Sequence, residues 1–598
     1  MRLMALVAAA LVAGIVSAAD GYRLHVWVEL IGFDCAAEDC GVDAYLDRIG
    51  RKPEAVSFLF TTNRLFRNHR GLDEDYPIPA WACSYFGREH NPERMRQDWT
   101  AFRLRRLVKS LRDRGVEVYA SFFNLFERMP MADERLEEEL AALVPFLTDF
   151  GFSGFHAADG YAPPSHVLDA CADADRPRLA RANAVRFAAN LKRMADVLHA
   201  KGLKVFANST WTRDPYESLF RYGVDYRLLA KTGIDGVYLE SSGAAQRILG
   251  CNKGHTTLPL DRCRAMVMLA KAAMPGMPLV LLHAINDGQE QWSALRHAPA
   301  AAKSEALELG NVYYGNRRAI DGYLACLGDG LSAAEWKTLT DTWDLSFTPT
   351  TGPVGPCVVW SDRAFDAEFD ACALSRDAST YRLLAELIAR GAPVNGVVSV
   401  EDALKDPSLP LLVLNPAYFP KEELAALRRR TAYVTEFGRG AETINRLPYV
   451  MITDEQRKFP GMPDVQYYWR QPLYENLPDP RDFNEIVAIL NNEENAPYRV
   501  TSPGIRTWAV RLANGRLGVF ARNGADTYAE ACFNVVCNPA HVEVHTDFPA
   551  VPVSTTFRAR IAPDETVLFS YEEAGLTPPN RPPHDSASGK QGENNEQT

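Results

Sequence analysis

Four times in the first half of the chain a helix-like run ends at a glycine and gives way to a short apolar strand that closes on polar residues. The copies read RDRGVEVYASFFN from Arg112, DFGFSGFHAADG from Asp149, AKGLKVFANSTW from Ala200 and KTGIDGVYLESS from Lys231. A glycine just past a helix fits the left-handed cap that stops it, and a continuous β-rich apolar run fits a strand buried on both faces. Alternation of the two over roughly 250 residues points to parallel βα units closing into a (β/α)8 barrel, the TIM architecture. In such a barrel the side chains that do chemistry stand at the carboxyl ends of the strands.

The same pattern places eight strands: Leu24 to Ile31, Ala55 to Thr61, Val116 to Phe123, Phe152 to Ala158, Leu203 to Ser209, Ile234 to Leu239, Pro278 to His283 and Ile320 to Cys326. Between them the run from Leu179 to Leu198 carries Val185, Ala188, Leu191, Met194 and Leu198 at helical spacing, which predicts one apolar face. Asp214 before Pro215 predicts a cap and first turn opening the helix after the fifth strand. The barrel unit is assigned to residues 20–350.

Near Gly352 the run TTGPVGP breaks the pattern. Beyond it, Cys357 to Trp360, Leu409 to Leu414 and Ala432 to Phe437 read as strands, with helices at Ser379 to Ala389 and Lys421 to Arg430. This predicts a small open α/β unit of flavodoxin type over residues 351–475. It carries no Gly-rich phosphate loop and no nucleophile elbow, so its expected role is structural or in assembly. A helix near Phe483 to Leu490 then precedes short runs at Trp508 to Leu512, Leu517 to Arg522, Ala529 to Val536, Val542 to Val544 and Thr566 to Tyr571, separated by turn signals. They predict an antiparallel β-sandwich over residues 495–573, and the Pro-, Asn-, Ser- and Glu-rich stretch 574–598 predicts a disordered tail.

Arg2, an apolar run from Leu3 to Val16 and the small residues Ser17, Ala18 and Ala19 fit a secretory signal peptide over residues 1–19, so the protein is expected to be exported, periplasmic or extracellular. No later stretch is long and apolar enough to predict a membrane span. The formal charge of -11, from 76 acidic against 65 basic residues, comes with no basic stripe, which excludes a nucleic-acid phosphate backbone as the expected partner. Of the 11 cysteines, Cys35 with Cys40, Cys251 with Cys263 and Cys532 with Cys537 are near enough in sequence to pair, whereas Cys326, Cys357 and Cys372 sit in apolar contexts that suit buried thiols. No spacing matches a zinc site, His25 lacks a second histidine two residues on, and no metal or cofactor is expected.

The fourth strand closes with His156, Ala157, Ala158, Asp159, Gly160 and Tyr161, and the sixth with Tyr238, Leu239, Glu240, Ser241 and Ser242. Asp159 and Glu240 are therefore the candidate catalytic pair. Two carboxylates across a cleft suit hydrolysis of a glycosidic bond, one protonated to give a proton to the leaving oxygen and the other ionised to attack or to activate water. Strand-end acids also cap helices and shape turns, a role open to Asp159 beside Gly160 more than to Glu240, which Ser241 and Ser242 follow. Asp287 and Asp329 stand in reserve, and Glu29 on the first strand is a further partner or a core carboxylate. Substrate-binding candidates are His156, Tyr161, Asn208, Trp211, Tyr238, His283 and Asp287, with Asn63, Asn124 and Asn286 at the same mouth and Trp81, Tyr85 and Phe86 in the insertion after the second strand. Dense donors and acceptors among aromatic faces suit a carbohydrate.

The order of barrel, open α/β unit and small β-sandwich resembles the clan of barrel glycosidases, in particular the β-galactosidase family whose second domain is an amidotransferase-like trimerisation module. That resemblance implies an O-glycosyl hydrolase with a carbohydrate substrate and, through the second unit, a homo-oligomer. The family carries an Asn-Glu pair after strand four and a glutamate nucleophile after strand seven; this chain has Ala158-Asp159 and His283-Ala284-Ile285-Asn286-Asp287. The carboxylate placement is instead similar to α-galactosidase-type enzymes, which implies Asp159 as nucleophile and Glu240 as acid/base. GIDGVYLE also resembles the GIDGFRLD strand of α-amylase-like enzymes, whose last acid is the nucleophile, which exchanges the roles. A noncatalytic carbohydrate-binding or scaffold barrel is the alternative, and a metal-dependent hydrolase ranks below both.

Overall fold

The structure, a computed structural model, describes residues 21–60, 75–78, 97–122, 130–158, 175–209, 214–241, 260–283, 285, 294–372, 379–438, 450–452, 469–471, 480–491, 498–500, 504–535, 543–544, 551–553 and 556–572. Residues 1–19 and 574–598, assigned above to a signal peptide and a tail, lie outside them.

Eight parallel strands close a barrel. They are β1 Arg23–Val28, β2 Ala55–Phe60, β3 Glu117–Phe122, β4 Gly154–Ala157, β5 Lys204–Asn208, β6 Gly236–Ser241, β7 Leu279–His283 and, after the two-residue strands β8 Tyr313–Tyr314 and β9 Arg317–Arg318, β10 Gly322–Cys326. Chain order is kept around the ring, with β10 pairing β1. Each barrel strand falls within a stretch read from sequence, except that β1 begins one residue earlier and β6 runs on to Ser241. The glycines of the repeat explain why the pattern was legible: Gly115, Gly151, Gly202 and Gly233 all have φ between 71° and 83°, a left-handed geometry that costs other residues energy.

Asp214 caps as expected, accepting from the Tyr216 and Glu217 amides at 2.9 and 3.3 Å. The helix Arg176–His199 shows one correction. Val185 is exposed, and the buried stripe runs through Ala180, Ala184, Phe187, Leu191, Met194 and Leu198, the same period turned by one residue at its start.

Alternation on the strands sorts the barrel side chains. Val26, Phe58, Val118, Phe155, Val205, Val237 and Leu281 join the large core against the helices, whereas Trp27, Leu59, Tyr119, Ala158, Phe206, Tyr238, Leu282 and Cys326 form a separate cluster on the inner side of the ring. In the bore Gly236 has no side chain because the Phe206 ring occupies the place: a Cβ there would lie 2.5 Å from its Cε1.

After the barrel come β11 Thr350–Val354, β12 Cys357–Trp360, β13 Gly396–Ser399, β14 Leu411–Leu414 and β15 Tyr433–Phe437. The second sheet has the order β15-β14-β12-β13-β8-β9, parallel except for β9. Its last two strands are contributed by the hairpin between β7 and β10, so the barrel segment supplies an edge of the neighbouring sheet. β13 and this hairpin escaped the sequence reading because both are too short to show a period.

The remaining strands are β16 Val450–Ile452, β17 Trp469–Gln471, β18 Tyr498–Val500, β19 Ile505–Leu512, β20 Leu517–Asn523, β21 Ala529–Val535, β22 Glu543–Val544, β23 Val551–Val553, β24 Thr556–Ile561 and β25 Thr566–Tyr571. They form a two-stranded pair, a five-stranded sheet β11-β19-β20-β25-β22 and a four-stranded sheet β18-β21-β24-β23. The TTGPVGP stretch, read above as a break, is partly strand: β11 pairs β19 antiparallel. Side chains of the two larger sheets, among them Val519, Phe569, Ala531 and Ile561, share one core.

Where barrel helices, second sheet and five-stranded sheet meet, charges are buried together. Arg522 of β20 is ion-paired to Asp261 and Glu308, on the helices Leu260–Ala273 and Pro299–Leu309. Arg264 donates to the Asn395 side chain and lies 4.4 Å from the Trp508 ring, and the Asn395 amide donates to the Ala509 carbonyl at 3.0 Å. Burial pushes the Glu308 carboxyl up against the pull of Arg522.

Cys35 and Cys40 are not joined. Both are buried free thiols, approached by the guanidinium groups of Arg103 and Arg106 respectively. Cys263 is buried, and Cys251 and Cys537, paired above with Cys263 and Cys532, lie outside the described residues. Among the described residues no helix is long and apolar enough to cross a membrane.

Candidate active site

The bore carries polar residues at inward positions of consecutive strands. His25 and Trp27 come from β1, Ser57 from β2, Tyr119 and Ser121 from β3, His156 from β4, Asn208 from β5, and Tyr238 and Glu240 from β6. Interiors of this kind are ordinarily filled by branched apolar side chains, so each polar group here must find a partner or cost stability.

His156 is held on both sides. Its Nδ1 lies 2.7 Å from the Ser57 hydroxyl and its Nε2 2.7 Å from Asn208 Oδ1. Complete burial drives its pKa down to about 3, which keeps the imidazole neutral. A neutral ring that donates from Nε2 to the amide oxygen accepts at Nδ1 from the serine, so one tautomer satisfies both contacts. Its faces are aromatic: Trp27 lies 4.9 Å and Tyr238 4.5 Å away between ring centroids.

Lower in the bore the Tyr238 hydroxyl bonds His25 Nδ1 at 2.9 Å, and its ring stacks on Phe206 at 5.1 Å. Burial holds the phenol far above its usual range and lowers His25 in spite of Glu54, 3.7 Å from Nε2. Below these, Glu117 binds the Tyr119 hydroxyl and the Lys204 ammonium at the amino end of the ring.

Glu240 stands two residues beyond Tyr238 on the same face of β6, at its carboxyl end, and is half-buried. Its amide donates to Ser209 Oγ at 3.0 Å, and the Ser209 amide donates to the Tyr238 carbonyl at 2.8 Å. These bonds tie the ends of β5 and β6 together and fix the backbone that carries the carboxylate. Across the mouth, Glu29 follows β1 in extended conformation and is buried, with its amide 3.4 Å from Asp329 Oδ1 in the turn after β10.

Of the residues singled out from sequence, His156, Asn208, Tyr238 and Glu240 meet on the inner face of three adjacent strands. His283 does not join them. It occupies an outward position of β7, where Nε2 meets the Ala302 carbonyl at 3.1 Å and Nδ1 accepts from the Trp343 indole at 3.3 Å; burial lowers its pKa to about 4. It packs the barrel against its helices, contrary to the expectation that it lines the mouth. Asp159, Tyr161, Trp211 and Asp287 lie outside the described residues, as do Asn63, Asn124, Asn286, Trp81, Tyr85 and Phe86. Sequence reasoning passed over Ser57, Ser121 and Trp27, although a lone serine at an inward position of an otherwise apolar strand was a signal available in AVSFLF and EVYASF.

Among the described residues no group of three His, Cys, Asp or Glu side chains could hold a metal ion. What the arrangement offers is a carboxylate over a neutral, aromatic and hydroxyl-bearing floor.

No family profile matches the chain, and no curated protein matches it. Among solved structures it is similar to the β-galactosidase of the psychrophilic Marinomonas ef1, at 12% identity and a TM-score of 0.46, over 92% of this chain and 100% of that one. It is similar to GH5_18 from Streptomyces cattleya, solved with GlcNAc, at 14% identity and a TM-score of 0.40, over 70% of this chain and 98% of the other. A chitinase from Chromobacterium violaceum overlaps 54% of this chain and 99% of its own length, with 14% identity and a TM-score of 0.32. Overlaps this loose, at such identities, transfer neither substrate nor catalytic residues to the present chain.

Proposed function

We propose that this protein is an exported glycoside hydrolase acting at the carboxyl-end mouth of its barrel, with Glu240 as one of its two working carboxylates and Asp159 as the other. The observation that carries the reading is the position of Glu240: inner face, carboxyl end of β6, half-buried above the His156–Asn208 layer. Barrel enzymes use these positions. A floor of neutral imidazole, amide, hydroxyl and indole groups suits a polyhydroxylated, uncharged substrate whose rings pack on aromatic faces.

In this reading one carboxyl group protonates the departing glycosidic oxygen while the other, ionised, attacks the anomeric carbon or activates water. The resemblances support either allocation of those roles. Neither requires a metal or an organic cofactor. The N-terminal run of residues 1–19 supports export.

Aryl glycosides and polysaccharides screened on the mature protein test the proposal, followed by E240Q and D159N. Each substitution is expected to lower turnover of the substrate found by about 10²- to 10⁴-fold. Turnover unchanged in both variants overturns it, and sugar binding without turnover favours the noncatalytic carbohydrate-binding barrel.

A further inference from the structure

Ser121 differs from the other polar residues of the bore. Ser57 and Asn208 each bond His156, and His25 bonds Tyr238. Ser121 is fully buried, and its Oγ has no hydrogen-bond partner among the described residues. It shares the inner face of β3 with Tyr119, between Leu59 of β2 and His156 of β4 in the register of the sheet. The next inner position on β4 is Ala158, one methyl group, and the inner residue at the end of β6 is Glu240.

An orphaned buried hydroxyl costs about 1–3 kcal/mol of folding free energy, and alanine at the same place would avoid that cost. We propose that Ser121 Oγ is a specificity group that hydrogen-bonds a hydroxyl of a neutral sugar seated beneath Glu240. The inference rests on the glycosidase reading and narrows its substrate class. The bore beside Ser121 holds the neutral imidazole of His156, and the carboxyl groups of Glu240, Glu29 and Asp329 stand about its mouth, so a uronate or phosphorylated sugar would bring an anion to acidic surroundings with no cation among the bore residues named here to pair it. An uncharged donor and acceptor, a ring hydroxyl or hydroxymethyl group, completes the serine without that penalty.

The test measures melting temperature and calorimetric binding for wild type, S121A and E240Q. The probes are D-glucose, D-galactose, D-mannose, their 2-deoxy and 6-deoxy counterparts, and D-glucuronate. Wild type is expected to bind one hydroxylated sugar about tenfold more tightly than the analogue lacking the critical hydroxyl. S121A should lose that preference while binding the deoxy analogue within about twofold of wild type, and E240Q should keep it. Without ligand, S121A should melt no lower than wild type. A lower melting temperature for S121A would mean that the hydroxyl is bonded inside the folded protein, and an unchanged preference would mean that it serves a buried water; either overturns the proposal. Failure of every neutral sugar to bind wild type overturns it as well, whatever hydrolysis is found. E240Q-sensitive turnover with the preference intact in S121A would leave the glycosidase reading standing and remove this one.

Discussion

The barrel bore and the junction around Arg522 both bury polar side chains, and they treat them differently. At the junction the carboxylates of Asp261 and Glu308 meet the Arg522 guanidinium, with that of Arg506 3.9 Å from Asp261, so charge is compensated within the protein. In the bore the groups beneath Glu240 are neutral, aromatic rings pack on His156 and Tyr238, and the Ser121 hydroxyl has no partner among the described residues. Buried charge that is fully paired holds elements in register, whereas a polar interior that stays neutral and incompletely satisfied is suited to meeting something from outside.

That contrast breaks most directly at Glu240. E240Q should reduce turnover by as much as about 10⁴-fold while leaving the melting temperature near that of wild type, because the half-buried carboxylate contributes chemistry and not cohesion. A large loss of stability in E240Q would erase the distinction.

R522M should do the reverse. Removing the guanidinium leaves the buried Glu308 without its ion-pair partner and Asp261 with Arg506 alone, and should cost about 3–5 kcal/mol of stability, read by denaturant unfolding. Adding D261N and E308Q should recover a large part of it, since the penalty comes from uncompensated charge. If R522M unfolds as late as wild type, the junction does not hold the layers together.

Acid sharpens the comparison further. His156 and His283 stay neutral in the folded protein until about pH 3 and about pH 4 respectively, whereas in the unfolded chain they take up protons near 6.5. Between pH 6.5 and about 4 the unfolded state therefore binds more protons, and stability falls as the pH falls, by about 1.4 kcal/mol per pH unit for each histidine. Arg522 keeps its charge throughout and adds nothing to this slope. H283F should remove its own share of about 1.4 kcal/mol per pH unit and leave the parts due to His156 and His25, measured as unfolding free energy against pH; a slope unchanged in that variant would contradict the burial assigned to the ring.

The smallest effect belongs to Tyr238. Y238F keeps the stack on Phe206 but deprives His25 Nδ1 of its partner, which should cost about 1 kcal/mol, measured by thermal unfolding.

Much of the fold is legible in the sequence. The glycines after the helices and the β-rich runs behind them are local features, and the left-handed geometry of Gly115, Gly151, Gly202 and Gly233 is what the spacing demanded. Glu240 and Asn208 were legible for the same reason, as polar residues ending apolar strands. His283 satisfied that rule equally well and proved to face the helices. The two-residue strands β8 and β9 were too short to announce themselves, and the C-x4-C spacing of Cys35 and Cys40 suggested a bond that the fold does not make.

The sequence by itself determined the alternation of helix and strand, the places where helices must stop, and which residues of a strand share a face, because these depend on contacts between near neighbours and on a period of two or 3.6 residues. Only the tertiary structure decided which face became the bore. That choice follows from closing β10 onto β1, nearly 300 residues apart, and it brings Ser57, His156 and Asn208 into one chain of bonds across 99 and 52 residues of sequence. Ring closure and long-range pairing carry no local signature, so the same alternation that sends His156 inward and His283 outward can be read only once the sheet is shut.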